Sequence, residues 1–393
     1  MTLSLDIYQT LAVAVVALWV GNILKRRIRL LSQFCIPSPV IGGLLFALVS
    51  LVGYMSGWIV CSFDDTMKQV CMVFFFTSVG FQANFKTIRQ GGRPLLLLVI
   101  LVALIVVIQN VVSIGIARSL GFAGLIGMTS GSIPMVGGHG TAGAFGPLLE
   151  EMGVSGATTL TTAAATFGLV AGSLIGGPIG RRLIEKFHLL ATAKDETEAI
   201  IQESHTEHHD SAYTTAVFQI VVASGIGTIV SYLLSLTGMT FPIYIGGMIV
   251  AAVMRNYSEF SHRLSIPIDQ ISDMGGICLS LFLGIAMVTL RLWELAELAL
   301  PLLLMLSAQL AVMIAFAYFV VFRVMGRDYD AAVLTSGFCG FGMGATPNAM
   351  ANMQAICDKY RPSVKAYLLI PIVGSMFTDF INSMIITFFV NII

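Results

Sequence analysis

The chain has 393 residues, 56% of them hydrophobic and only 11% charged, with 21 basic residues balancing 21 acidic ones and a mean hydropathy of +0.89. Soluble domains carry about 25% charged residues, so a soluble enzyme or binding module is excluded and an integral membrane protein is expected. The formal net charge is zero and the charges form no single patch, so no nucleic-acid partner is expected.

Crossing about 30 Å of hydrocarbon takes roughly 20 apolar residues. Ten such runs are expected in chain order: about 5 to 24, 38 to 58, 67 to 85, 94 to 116, 156 to 180, 213 to 235, 241 to 254, 270 to 290, 299 to 322 and 366 to 390. The seventh is short. The first is followed, not preceded, by its basic cluster (Lys25, Arg26, Arg27, Arg29), which predicts an uncleaved span. Threading the chain through these runs puts 18 of its 21 lysines and arginines on one side, leaving Lys68, Arg118 and Arg291 opposite. The side rich in cations is expected to be cytoplasmic, with both termini outside.

Two stretches outside the ten runs dominate the pattern. Gly137-Gly138-His139-Gly140-Thr141-Ala142 and Gly342-Met343-Gly344-Ala345-Thr346-Pro347 each sit between short apolar arms, and each follows a Thr-Ser-Gly tripeptide, at 129 to 131 and 335 to 337. They predict re-entrant hairpins over about 122–153 and 328–360, the first dipping in from outside and the second from the cytoplasm. Broken backbone at membrane depth survives only where protein buries it or it lines a watery cavity, and paired interruptions in two halves point to a transporter's binding site.

The halves share further landmarks in the same order. Pro39-Val-Ile-Gly-Gly43 is answered by Ile243-Tyr-Ile-Gly-Gly247, the Pro94 leucine run by that of Pro301, and Gly172-Ser173 by Gly374-Ser375. The expected fold is an all-α polytopic membrane protein: ten transmembrane helices in two inverted five-helix repeats, 1–186 and 213–393, each with a re-entrant hairpin. The polar, acidic stretch 187–212, with His205, His208 and His209, reads as a cytoplasmic linker, and Arg255 to Ile268 as an interfacial helix. Six scattered cysteines lack CxxC or metal spacing and read as small hydrophobes.

Gly137, Gly138, Gly140, Gly342 and Gly344 permit close approach of backbone to ligand. Successive N–H groups in such turns, or at a helix N-terminus, favour an anion, and the carbonyls freed at the same breaks suit sodium. His139, Thr141, Thr346 and Asn348 complete the candidate substrate set. Asp379, near the middle of the last run, costs about 2.5–3.5 kcal/mol to insert before it finds a partner. It is read as a ligand for a cation or a substrate amine, with Ser375 and Asn382 on its helical face. Ser130, Ser132, Thr166, Thr335 and Ser336 are further candidate sodium ligands beside the breaks. Gln109, Asn110 and Gln309 are as consistent with interhelical hydrogen bonds as with ligation. Walker, HExxH and GxSxG motifs are missing, so neither an enzyme nor a nucleotide site is expected, nor any cofactor other than sodium as coupling ion. A channel with the hairpins as filter is the competing class.

Val136-Gly-Gly-His-Gly-Thr-Ala142, Ala165-Thr-Phe-Gly-Leu-Val170, Leu292-Trp-Glu-Leu-Ala296, Gly340-Phe-Gly-Met-Gly-Ala-Thr-Pro347 and Ala351-Asn-Met-Gln-Ala-Ile356 together resemble the bacterial sodium/glutamate symporters of the ESS family. The resemblance implies sodium-driven import of L-glutamate across the bacterial inner membrane, with both termini periplasmic. A related di- or tricarboxylate as passenger, or protons as driver, is the alternative. Similarity to the related 2-hydroxycarboxylate transporters implies a homodimer surrounded by lipid, with a static scaffold and an elevator-like transport domain. The first, second, sixth and seventh spans would form the scaffold, and the rest would move. The run Ser132-Ile-Pro-Met-Val136 departs from the hydroxyl-rich arm expected before the first tip.

Overall fold

The computed structural model describes residues 2–29, 31, 36–56, 60–84, 92–191, 210–236, 241–261, 265–293 and 299–393. Each expected apolar run coincides with a helix: α1 Ile7–Arg27, α2 Ser38–Met55, α3 Thr66–Gln82, α4 Gly92–Ser119, α8 Ala157–Phe187, α9 Asp210–Ser235, α10 Tyr244–Ser261, α11 Ile268–Val288, α12 Ala299–Phe316 and, at the end, α15 Val364–Ile372 continuing through a π turn into α16 Thr378–Ile392. Among the described residues, seven helices are long and apolar enough to cross a membrane, which makes the chain a polytopic membrane protein. Of the other three, α3 is only 17 residues long, α10 carries Arg255 and Glu259, and α16 is a shorter apolar helix of 15 residues.

Several expectations shift. The short seventh run is the first half of an 18-residue helix that continues to Ser261, so the polar stretch expected as a separate interfacial helix is largely the end of α10. Arg255 and Glu259 pair across one turn at 2.8 Å there, which lets the polar segment stay helical. The linker is shorter than 187–212, because α8 keeps Phe187 and α9 begins at Asp210; residues 192–209, including the three histidines, lie outside the described residues. Two short strands also depart from an all-α reading: β1 Thr2–Leu5 pairs in parallel with β2 Val60–Phe63 beside the start of α1. There, Asp6 and Gln9 form a reciprocal capping box at the α1 N-terminus.

The helices pack in two groups. In one, α1 lies on α2, α9 on α10, and α3 and α11 sit between these pairs. The other comprises α4, α8, α12, α15, α16 and both glycine-rich hairpins, with α8 against each hairpin. The expectation had set α3 and α11 with the moving spans; their packing against α10, α2 and α1 sets them with the first group instead. The junction is aromatic: Phe76 of α3 stacks on Tyr244 of α10 at 4.0 Å, and Phe145 meets that tyrosine edge-on at 6.0 Å.

The recurring Ile-Gly-Gly landmark has one structural job in both places. A Cβ on Gly42 would lie 1.7 Å from the Ala17 carbonyl oxygen of α1, and one on Gly246 would lie 1.9 Å from the Gly227 oxygen of α9. Backbone touches backbone at both crossings, the small-residue packing that dispersion favours between helices in lipid. We therefore expect Gly42→Val to destabilise the protein by at least about 1–3 kcal/mol, because the obstacle is main chain and cannot swing away. Gly115→Val, where a Cβ meets nothing within 4 Å, is expected to stay within about 0.5 kcal/mol of wild type. Thermal unfolding of the two detergent-purified variants checks this.

Candidate functional site

The second hairpin follows the expected plan. Asp328 caps α13 Tyr329–Gly342 through the Ala331 N–H at 2.7 Å, the chain breaks over 343–345, and α14 Thr346–Lys359 begins with Pro347 in its first turn. The first hairpin is broken more often than its sequence suggests. Its incoming arm consists of α5 Gly124–Met128 and α6 Ser132–Met135, and its outgoing arm is α7 Gly138–Glu151. Asn110 of α4 explains the extra break, since its Oδ1 accepts the Ser132 N–H at 2.8 Å and a Cβ on Gly131 would lie 2.5 Å from that oxygen. The Ser-Ile-Pro-Met-Val departure is thus a short separate helix docked on an α4 amide.

The two tips meet. Gly138 has φ +58°, in the left-handed region, and a Cβ there would lie 2.9 Å from the Gly344 carbonyl oxygen. A side chain at Gly138 would be strained in backbone and in space alike. Behind the second hairpin, α8 presents Gly168, Gly172, Gly176 and Gly180 at four-residue spacing; a Cβ on Gly168 would lie 2.3 Å from the Met343 oxygen, and one on Gly176 2.1 Å from Asn352 Nδ2.

Beside the tips lies a cavity of about 270 Å³, near the lower end of the roughly 300–1,000 Å³ usual for small-molecule sites. It is lined by Gly137, Gly138, His139, Gly140, Thr141, Gly344, Thr346 and Asp379 from the candidate set, with Thr378 and Gly374 next to Asp379. The N-termini of α7 and α14 both open into it, each contributing roughly half a positive charge, although Pro347 of α14 has no N–H and the Asn348 N–H is bonded to the Ala345 carbonyl at 3.0 Å. Asp379, half-buried in the first turn of α16, has no cationic side chain within 4 Å among the described residues. A carboxylate in so apolar a place calls for a cation. His139 Nε2 lies 2.9 Å from Thr166 Oγ1, and that hydroxyl donates to the Thr162 carbonyl at 3.1 Å.

The remaining candidates lie elsewhere. Gly342 turns from the cavity: its carbonyl accepts from Gln109 Nε2 at 2.9 Å, and a Cβ would strike Met313. Asn348 is buried, with Nδ2 on the Leu169 carbonyl at 2.9 Å. Ser130 reaches Ser113 Oγ and the Gly127 carbonyl, Thr335 donates to the Ala331 carbonyl at 2.6 Å, and Ser336 donates to the Asn352 carbonyl at 3.3 Å. These hydroxyls serve their own helices or their neighbours. The Ser375 side chain lies outside the described residues. A different subset of oxygens is left without a partner while buried: Ser132 Oγ, Thr141 Oγ1, Thr162 Oγ1, Asn348 Oδ1 and Asn382 Oδ1. The Thr141 and Asn382 side chains and the Ser132 main chain meet near Gly137, whose Cβ position is 2.3 Å from Thr141 Oγ1 and 2.7 Å from Asn382 Nδ2, while Asn382 Nδ2 donates to the Ser132 carbonyl at 3.2 Å. Neutral oxygens in that arrangement are hard-cation ligands in kind.

The opposite wall of the cavity was not expected from the sequence. Phe75, Val79 and Gln82 of α3 and Leu279 and Leu283 of α11 close it, all from the other helix group. Gln82, an amide ending an otherwise apolar run, was the one available signal.

The family described as "Sodium/glutamate symporter" matches residues 3–362. The sodium/glutamate symporter of Haemophilus influenzae is 36% identical over 390 residues, 98% of this chain and 96% of that protein. The sodium/glutamate symporter of Escherichia coli is 39% identical over 388 residues, 97% and 96% of the two. Among solved structures, a sodium proton antiporter from Methanocaldococcus jannaschii aligns over 97% of both chains at 14% identity, with a TM-score of 0.43. With the family matched over most of its length and relatives aligned nearly end to end, this chain belongs to the sodium/glutamate symporter family.

Proposed function

We propose that the protein imports L-glutamate with sodium across the bacterial inner membrane by alternating access. The observation that carries this reading is the meeting of two helix N-termini and an unpaired carboxylate in one cavity. Glutamate offers two carboxylates for the positive ends of α7 and α14 and one ammonium for Asp379, so each charged group of the zwitterion has a complement. The orphaned oxygens of Ser132, Thr141 and Asn382 are the proposed sodium ligands, adjoining the substrate across Gly137. Close placement lets ion and amino acid stabilise each other's binding, which is the energetic content of coupling.

In this reading the chain crosses the membrane ten times as two inverted five-helix repeats, with both termini periplasmic and 187–212 in the cytoplasm. The division into two helix groups supports an elevator: α1, α2, α3, α9, α10 and α11 form the scaffold of a homodimer, and the hairpins travel with α4, α8, α12, α15 and α16. Pro37 and Gln82, at the ends of α2 and α3 assigned to the cytoplasm, line the cavity, which favours an inward-facing arrangement. Glutamate carries a net charge of −1, so at least two sodium ions must accompany it for an inside-negative potential to assist. Each net charge moved is then worth about 2.3 kcal/mol per 100 mV.

Purified protein in proteoliposomes is expected to accumulate labelled glutamate only under an inward sodium gradient, and faster when a potassium diffusion potential makes the interior negative. Uptake indifferent to sodium removes the mechanism, and slowing by the negative potential removes the stoichiometry. Competition by unlabelled aspartate, malate and citrate reads the passenger. Asp379→Asn removes a charge-assisted contact of about 1.5–3 kcal/mol, so uptake should fall by about 10- to 100-fold; a variant with wild-type glutamate affinity and wild-type sodium dependence clears Asp379 of an ionic role. Gly138→Ala places a methyl against the Gly344 carbonyl and costs about 1–2 kcal/mol in backbone alone. It should cut uptake sharply while the protein stays helical by circular dichroism, and wild-type kinetics would show that the tips need not touch.

A further inference from the structure

At the opposite end of α8 from its hydroxyl-rich start, a second and larger cavity of about 840 Å³ opens between α8 and α14, sharing no lining residue with the central one. Its charged lining is Arg181, Arg182, Lys186 and Lys359 against the single carboxylate of Glu185. That carboxylate is already engaged, by Arg181 Nε at 2.7 Å and by the Tyr360 hydroxyl at 3.0 Å. Arg182, Lys186 and Lys359 have no carboxylate within 4 Å among the described residues, so the groove keeps an uncompensated positive charge.

These cations are held rather than merely exposed. Lys186 Nζ donates to Tyr318 Oη at 3.0 Å and lies 5.5 Å from the centres of both the Phe187 and Tyr318 rings, while Lys359 lies 5.3 Å from the Tyr360 ring. Gly177, where a Cβ would meet nothing within 4 Å, leaves the groove floor open. Cations braced on aromatic rings at the end of an apolar helix mark the headgroup level of a bilayer. Exposed apolar side chains are close by in the chain: Leu174, three residues before Gly177 on α8, is 56% exposed, and Phe319, next to the Tyr318 that holds Lys186, is 53% exposed. Cationic clefts between membrane helices on the cation-rich face recognise phosphate headgroups.

We propose that this groove binds the phosphate headgroup of an anionic phospholipid, with its acyl chains lying along Leu174 and Phe319. The lipid joins α8 to the outgoing arm of the second hairpin at the membrane surface and so fastens the hairpin whose tip holds Gly344.

The test is a thermal-unfolding titration of the detergent-purified full chain with dioleoylphosphatidylglycerol, and in parallel with dioleoylphosphatidylcholine, inorganic phosphate and glutamate. Phosphatidylglycerol is expected to raise the melting temperature saturably, and the other three much less by this route. The triple variant Arg182→Gln, Lys186→Gln, Lys359→Gln should bind phosphatidylglycerol at least about 10-fold more weakly. A control lacking three cations elsewhere on the same face (Arg26→Gln, Arg27→Gln, Arg29→Gln) should keep wild-type affinity. Equal stabilisation by phosphatidylcholine, an equal loss in the control, or an unchanged triple variant overturns the site. Stabilisation by phosphate or glutamate that matches the lipid's and disappears in the triple variant overturns the lipid as occupant. Because binding is read without transport, failure here is separable from failure of the sodium-coupled reading.

Discussion

Between Gly138 and the carbonyl of Gly344, two stretches of non-helical main chain approach so closely that a single methyl group would not fit. Main chain that leaves the helical pattern loses its partners along the chain, and the surrounding helices supply others. Side-chain amides supply much of the answer: Gln109 holds the Gly342 carbonyl, Asn110 the Ser132 N–H, Asn382 the Ser132 carbonyl and Asn348 the Leu169 carbonyl. Gln309 in turn binds the Gln109 carbonyl at 2.8 Å. An amide suits this work because it donates and accepts without charge, avoiding the desolvation cost of an ion.

From that arrangement follows which oxygens are left over. Once an amide has spent its N–H on the backbone, its own oxygen often points inward without a donor, as Asn382 and Asn348 do. Ser132 Oγ and Thr141 Oγ1 are likewise left without a partner, and Thr141 lines the cavity into which two helix N-termini open. In the proposed reading the backbone breaks supply both halves of a binding site at once: N–H groups for carboxylates and oxygen atoms for a small cation. Asp379 adds the one formal charge. The aromatic junction of Phe76, Tyr244 and Phe145 lies between the helix group that carries the tips and the group that supplies Phe75, Val79 and Gln82. A cavity at the boundary of two packed bodies is where relative movement changes access most.

Much of this was legible in the residues themselves. Apolar length located the helices, because the hydrocarbon thickness sets that length and the rule is indifferent to partners. Glycine clusters located the breaks, since a run of residues without Cβ is poor in helix propensity and lets main chain approach main chain. The third and eleventh helices were assigned to the wrong group for an equally physical reason: in lipid, the side of a helix that meets protein is as apolar as the side that meets acyl chains. The same ambiguity hid Leu279, Leu283 and Phe75 in the cavity wall, whereas residues 255–261, expected in a separate helix, continue α10, where Arg255 pairs with Glu259 and Asn256 donates to the Ala83 carbonyl.

The sequence by itself determined that the chain is a polytopic membrane protein, that its backbone is broken at two related glycine clusters, and that one carboxylate sits deep in an apolar helix. Each of these is a property of a residue and its near neighbours along the chain. Only the tertiary structure decided which hydroxyls and amides face the cavity and which serve the backbone: it turned Gly342 away from the cavity, bonded Thr335 and Ser336 to backbone carbonyls, left Thr141 Oγ1 without a partner in the cavity lining, and brought Gln82 to its wall. A serine or asparagine in a membrane helix can bond to whatever lies within about 3 Å. That neighbour comes from a helix up to 250 residues away in the chain, as Asn382 and Ser132 show.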